Sequence, residues 1–154
     1  MQAAMQDLSG EATPHGLWLE SEAECDRSTK PRFRVRSVVL GRPGGGAGTL
    51  AEQGSVVCLP DQTTAWLRPG LTEEYRTGMD GVRQDVVLSA RPTGDGDHVT
   101  VELEVTGARA EAASYGVKLT MDVTGREIAF HRLHVTDATG RELAARMNVP
   151  APDR

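Results

Sequence analysis

Val99-Thr100-Val101-Glu102-Leu103-Glu104-Val105 alternates apolar and polar side chains without a break. In an extended chain successive side chains point to opposite faces, so this run buries its four apolar residues and wets the three polar ones. A helix would scatter the same residues around its circumference. The stretch reads as a half-buried antiparallel strand, and Arg91-Pro92-Thr93-Gly94-Asp95-Gly96-Asp97 before it reads as a turn. Asp95 and Asp97 fall short of a calcium loop, which needs further oxygen ligands at set positions.

The same pattern extends upstream. Short strands are expected over residues 55–59, 63–67, 71–76 and 82–89, and Phe33-Arg34-Val35-Arg36-Ser37-Val38-Val39-Leu40 alternates before ending in an apolar run. Downstream, Asp122-Val123-Thr124-Gly125-Arg126-Glu127-Ile128-Ala129 recurs as Asp137-Ala138-Thr139-Gly140-Arg141-Glu142-Leu143-Ala144. Asp-x-Thr-Gly suits a turn whose glycine takes the left-handed conformation, so Asp122, Gly125, Asp137 and Gly140 are read as turn-formers. Two such turns predict a three-stranded meander over residues 117–122, 127–136 and 143–149. In its middle strand, Ile128 and Phe130 have one parity while Leu133 and Val135 have the other. A bulge or bend near His131–Arg132 reconciles them.

The chain of 154 residues is long enough for one domain. Leu, Val, Ile and Phe together make 31 of the 154 residues, about 20%, at the edge of what a packed core requires. They are unevenly spread. Residues 1–32 hold only Leu8, Leu17 and Leu19, so this segment is expected to be a polar, poorly ordered arm, with Trp18 as an apolar anchor. Residues 33–149 are expected to form a single β domain, residues 41–48 a flexible Gly-rich loop within it, and residues 150–154 a tail. The expected class is all-β: an antiparallel sandwich-like or rolled sheet of hairpins ending in the meander.

Charge and composition exclude several functions. A net charge of −5 argues against a nucleic-acid binder, whose phosphate affinity rests on basic surface. No apolar run is long enough for a membrane helix. Met1–Gly10 lacks the basic start and apolar core of a secretory signal. Cys25 and Cys58 would close a disulfide loop worth about 3–4 kcal/mol in an exported chain, and stay thiols in the cytosol.

No constellation carries a catalytic, cofactor-binding or metal-binding signature. His131 and His134 would converge on a helix but diverge on a straight strand, so surface histidines are the simpler account. Aspartic proteases need Asp followed directly by Thr or Ser and then Gly. Here Val123 or Ala138 intervenes. No Gly-x-Ser-x-Gly elbow exists, and nothing local supports pairing Cys58 with His98, His131 or His134. Gly44–Gly48 is not followed by the Lys-Ser/Thr of a phosphate-binding loop. Trp66, Tyr75 and Tyr115 are the candidate contacts of a sugar platform, although six aromatics in the whole chain leave few to spare from the core. Gln84 shares the inward parity of Val82, Val86 and Leu88, so its amide must find buried partners.

Leu71-Thr72-Glu73-Glu74-Tyr75-Arg76-Thr77-Gly78, followed by Gly81-Val82-Arg83-Gln84-Asp85-Val86-Val87 and Arg91-Pro92-Thr93-Gly94, begins an ordered set of motifs. Leu103-Glu104-Val105-Thr106-Gly107 and Leu133-His134-Val135-Thr136-Asp137-Ala138-Thr139-Gly140 continue it. Together they resemble the β-rich N-terminal module of large secreted or surface bacterial proteins that carry FG-GAP or SBBP-type β-propeller repeats, from about residue 33 to 149. The resemblance implies a non-catalytic structural or interaction module, extracellular or at the cell surface, read here as a fragment lacking its repeats. A complete chain without a signal would instead be cytoplasmic. Expected partners are other β domains of the same polypeptide or a surface partner, with self-association through an exposed strand edge. The alternatives are a carbohydrate- or surface-polymer-binding module and, more remotely, a small hydrolase.

Overall fold

The computed structural model describes residues 2–3, 8–21, 31–78 and 81–153. These contain thirteen strands and no helix: β1 (Gln2–Ala3), β2 (Leu8–Thr13), β3 (Gly16–Ser21), β4 (Arg32–Arg42), β5 (Gly46–Thr49), β6 (Ser55–Cys58), β7 (Thr64–Arg68), β8 (Leu71–Gly78), β9 (Gly81–Leu88), β10 (Thr100–Thr106), β11 (Ala108–Ala113), β12 (Gly116–Met121) and β13 (Glu127–His131). The chain is all-β, and every strand pairing is antiparallel. One sheet runs β1-β2-β3-β4-β10 with β5 also on β4, a second runs β6-β7-β8-β9, and a third is the meander β11-β12-β13.

Local chemistry sets the hairpins. Pro69-Gly70 closes the Arg68↔Leu71 pair with proline first and glycine second at φ 83°, the residues a tight turn with one left-handed position selects. Thr13 Oγ1 donates to Gly16 O at 2.9 Å across the β2–β3 turn. Gly107, at φ 79°, is the single residue between β10 and β11 and turns the chain from the first sheet into the meander. A side chain there would put Cβ 2.3 Å from Arg32 O, so only glycine fits.

Among the described residues the core has two apolar clusters. Leu8, Phe33, Val35 and Val105 pack with Ala110, Val117, Leu119 and Met121 between the first sheet and the meander. Leu17, Trp66 and Tyr75 form the second, against the four-stranded sheet, and Leu19 touches both.

Three expected boundaries are corrected. Within the segment read as an arm, residues 8–21 contribute β2 and β3, and Leu19↔Phe33 pairing joins them to β4, while residues 1, 4–7 and 22–30 lie outside the described residues. Leu8 and Leu17 are buried, so few apolar residues sufficed because both fill existing clusters. Residues 41–48 are not a flexible loop, since Val39–Arg42 pairs with Gly46–Thr49. The glycines there admit the 93–96 loop, where a Cβ on Gly45 would lie 1.9 Å from Thr93 O. Finally, the C-terminal meander is present but is built from β11, β12 and β13, one strand earlier than expected. Beyond it, Asp137–Arg141 closes only the Thr136↔Glu142 bridge, and residues 143–149 form no strand. Met147 and Val149 still pack on the core, and the expected tail is pinned, with Pro152 O accepting from Ala110 N at 2.6 Å and Asp153 O from Val105 N at 2.8 Å.

Candidate functional site

The most elaborate polar constellation sits where the first sheet is interrupted. On one edge β4 pairs with β10 across Arg34–Gly41. On the other it pairs with β3 at Arg32 and Phe33, and with β5 from Val39 to Arg42. Among the described residues, 34–37 therefore have no strand partner on that second edge, and Val38 is the extra residue of a bulge opposite Glu102–Leu103. Unpaired buried backbone groups must find other partners.

The four-stranded sheet supplies them from its side chains. Trp66, Glu73 and Val86 lie on one cross-strand rung, flanked by Arg68–Leu71–Leu88 and Thr64–Tyr75–Gln84. Glu73 is fully buried and accepts four hydrogen bonds. Its Oε1 receives Ser37 N at 2.8 Å and Arg68 Nη2 at 2.5 Å. Its Oε2 receives Tyr75 Oη and Gln84 Nε2, both at 2.6 Å. Arg68 Nη1 donates to Ser37 O at 2.7 Å and Ala51 O at 3.2 Å, while Gln84 Nε2 also reaches Val35 O at 3.3 Å. Three side chains thus occupy the place of a missing strand.

Trp66 anchors the arrangement from below. Its ring lies 3.8 Å from the Arg68 guanidinium carbon, and its Nε1 donates to Pro14 O at 3.0 Å in the β2–β3 turn. Burial lowers the Arg68 pKa and the Glu73 charge opposes that shift, so the guanidinium stays protonated. Such a pair adds little net stability, because desolvation offsets the attraction, but it makes loss of either partner expensive.

Burial first, and then the neighbouring Glu73 carboxylate, hold the Tyr75 phenol well above its ordinary range. An unfolded tyrosine ionises near about pH 10. The folded value is raised, so this contribution to stability is complete below about pH 10 and is lost as pH climbs past it. Stability is expected to fall above that point, with Tyr75 phenolate absorbance appearing only as the chain unfolds. The Tyr75→Phe variant should lose that share of the alkaline slope.

Gln84 is half-buried and faces inward, as its parity requires, with its amide on Glu73 and Val35 O. Gln84→Ala is expected to cost about 1–2 kcal/mol in urea unfolding through partners left unsatisfied. Glu73 and Arg68 were not singled out in the sequence, although the same parity argument applies to them. Glu73 lies between Leu71 and Tyr75 at period two, and Arg68 follows Trp66 by two.

The other sequence candidates separate. Trp66 and Tyr75 are 1% and 3% exposed, whereas Tyr115 is 51% exposed on the β11–β12 turn with its ring edge-on to His131 at 6.4 Å. The three do not share a face, and the sugar platform is withdrawn. Gly125 and Gly140 have φ 68° and 85°. Gly125 N donates to Met121 O, and Gly140 N to Asp137 O. Asp137 Oδ1 accepts from Thr139 N, Thr139 Oγ1 and Arg141 N, which lowers its pKa, with the Thr139 side chain as the main cause. Asp122 contributes through its backbone, donating its N–H to Gly107 O at 3.1 Å. Strand β13 ends at His131, and Arg132 at φ 62° makes the expected bend.

Cys58 is exposed on β6, and Cys25 lies outside the described residues. His134 faces Glu142 at 3.4 Å, and no group of three His, Cys, Asp or Glu could hold a metal among the described residues. The Arg32 and Arg34 guanidinium carbons lie 4.5 and 4.7 Å from the centre of the Trp18 ring, which docks the anchor of the supposed arm onto β4. No family model matches the chain, and no curated protein or solved structure is similar to it.

Proposed function

We propose that this chain is a non-catalytic structural or interaction module. The observation that supports it most is the saturation of Glu73. It is the only carboxylate in the described core, it is fully buried, and all four of its accepting directions are taken by Ser37, Arg68, Tyr75 and Gln84. A general base or nucleophile needs reach to a substrate proton or carbon, and this group has none. Its chemistry is spent on joining two sheets. The setting proposed is an exported or cell-surface bacterial protein with further β domains, a reading carried by the motif resemblance alone.

A screen of ester, peptide, glycoside and phosphate-ester substrates tests the non-catalytic part. The expected result is no turnover that scales with protein concentration. Turnover that scales and is lost in Cys58→Ser, the exposed thiol, would overturn it.

A further inference from the structure

We infer that β9 is a docking edge for a second copy of this chain, pairing antiparallel about Gln84. This deepens the interaction-module reading by naming the partner. β9 is the eight-residue outer strand of the four-stranded sheet and pairs only with β8. No other backbone hydrogen bond reaches it among the described residues. Gly78↔Gly81 closes the β8–β9 hairpin across two residues. In that geometry the closing pair faces inward, so alternation turns the N–H and C=O groups of Val82, Gln84 and Val86 toward the free edge.

Two further observations favour a copy of β9 over an unrelated strand. First, the β8–β9 register sets like against like on the outer face, with Glu74 opposite Asp85 and Arg76 opposite Arg83. Directly opposed like charges are unfavourable, and Arg83 and Asp85 instead pair along their own strand at 2.8 Å. Among the described residues neither finds a counter-charge across β8. Second, Val86 points to the core side yet remains 37% exposed, so the sheet ends before that face is covered.

A second β9 centred on Gln84 answers both. Arg83 of each copy faces Asp85 of the other, twice by symmetry, and Val82 faces Val86 on the inner side. Gln84 sits at the axis, and the backbone pairs 82/86, 84/84 and 86/82 can all form. A register one residue along opposes Asp85 to Asp85, and the next sets Asp85 against Val87. Charge therefore chooses the register, while backbone bonds and valine burial supply the attraction.

Sedimentation across a dilution series, with folding checked by circular dichroism, tests this. The expected species is a reversible dimer of two 16.5 kDa chains. Arg83→Asp is expected to weaken it about tenfold or more. The monomer should tolerate that change, since the Arg83–Asp85 pair it removes lies at the surface and the new carboxylate faces Arg76 on β8. Combining Arg83→Asp with Asp85→Arg should restore the dimer, and Val86→Pro, which removes an edge N–H that β8 does not use, should abolish it. A monomer at every concentration, or a dimer indifferent to Arg83→Asp, would overturn the proposal and leave the turnover result standing.

Discussion

Glu73→Ala is expected to destabilise the protein by about 3–5 kcal/mol, the cost of stranding one partner of a buried ion pair. The Arg68 guanidinium would remain buried without its counter-charge, Ser37 N–H and Tyr75 Oη would lose their acceptor, and Gln84 Nε2 would keep only Val35 O at 3.3 Å. Single domains are stable by only about 5–15 kcal/mol, so the variant should sit close to unfolding, as a urea titration followed by tryptophan fluorescence would show. Glu73→Gln keeps the shape but turns an N–H₂ toward donors on one side, so it should not recover the loss. The double variant Arg68→Met with Glu73→Leu is the informative one. If the two residues only neutralised each other, an apolar replacement of both would be tolerated. Here Ser37 N–H and C=O depend on them, so most of the loss should persist.

Trp66→Ala should cost a similar amount, about 3–5 kcal/mol, for the different reason that it opens a cavity in a closed core. Trp66 is 1% exposed and forms the second cluster with Leu17 and Tyr75. Its ring also supports the Arg68 guanidinium, and its N–H ties the four-stranded sheet to Pro14 O. Trp66→Phe keeps most of the packing and drops the N–H, so its cost should be nearer about 1 kcal/mol. The gap between the two variants, from their urea midpoints, measures how much of the anchor is packing.

Much of this architecture was legible because alternation is a local property. Val101, Leu103 and Val105 declare β10, and Leu71, Glu73 and Tyr75 declare the inner face of β8. Gln84 was legible as a buried amide on the same ground. Its main partner was not, because Glu73 is accepted by a gap in β4 that exists only once β3 and β5 have taken the same edge. That gap is a property of topology and leaves no trace within 34–37. The hairpin of β2 and β3 was missed because its polar composition hides how few apolar contacts it needs when Leu8 and Leu17 insert into clusters built by other strands. Residues 143–149 have strand-like spacing, yet Pro150 and Pro152 lack the N–H groups for a ladder. The chain there offers carbonyl groups to β10 and β11 instead.

Native-state hydrogen exchange at the Ser37 amide tests the substitution of side chains for a strand most directly. Among the described residues the amide has no backbone acceptor on its edge of β4, and it is held by Glu73 Oε1 at 2.8 Å. It is predicted to exchange only through global unfolding, with protection equal to that of the β8–β9 ladder amides. Exchange at the rate of an open loop amide in the wild-type protein would contradict the account.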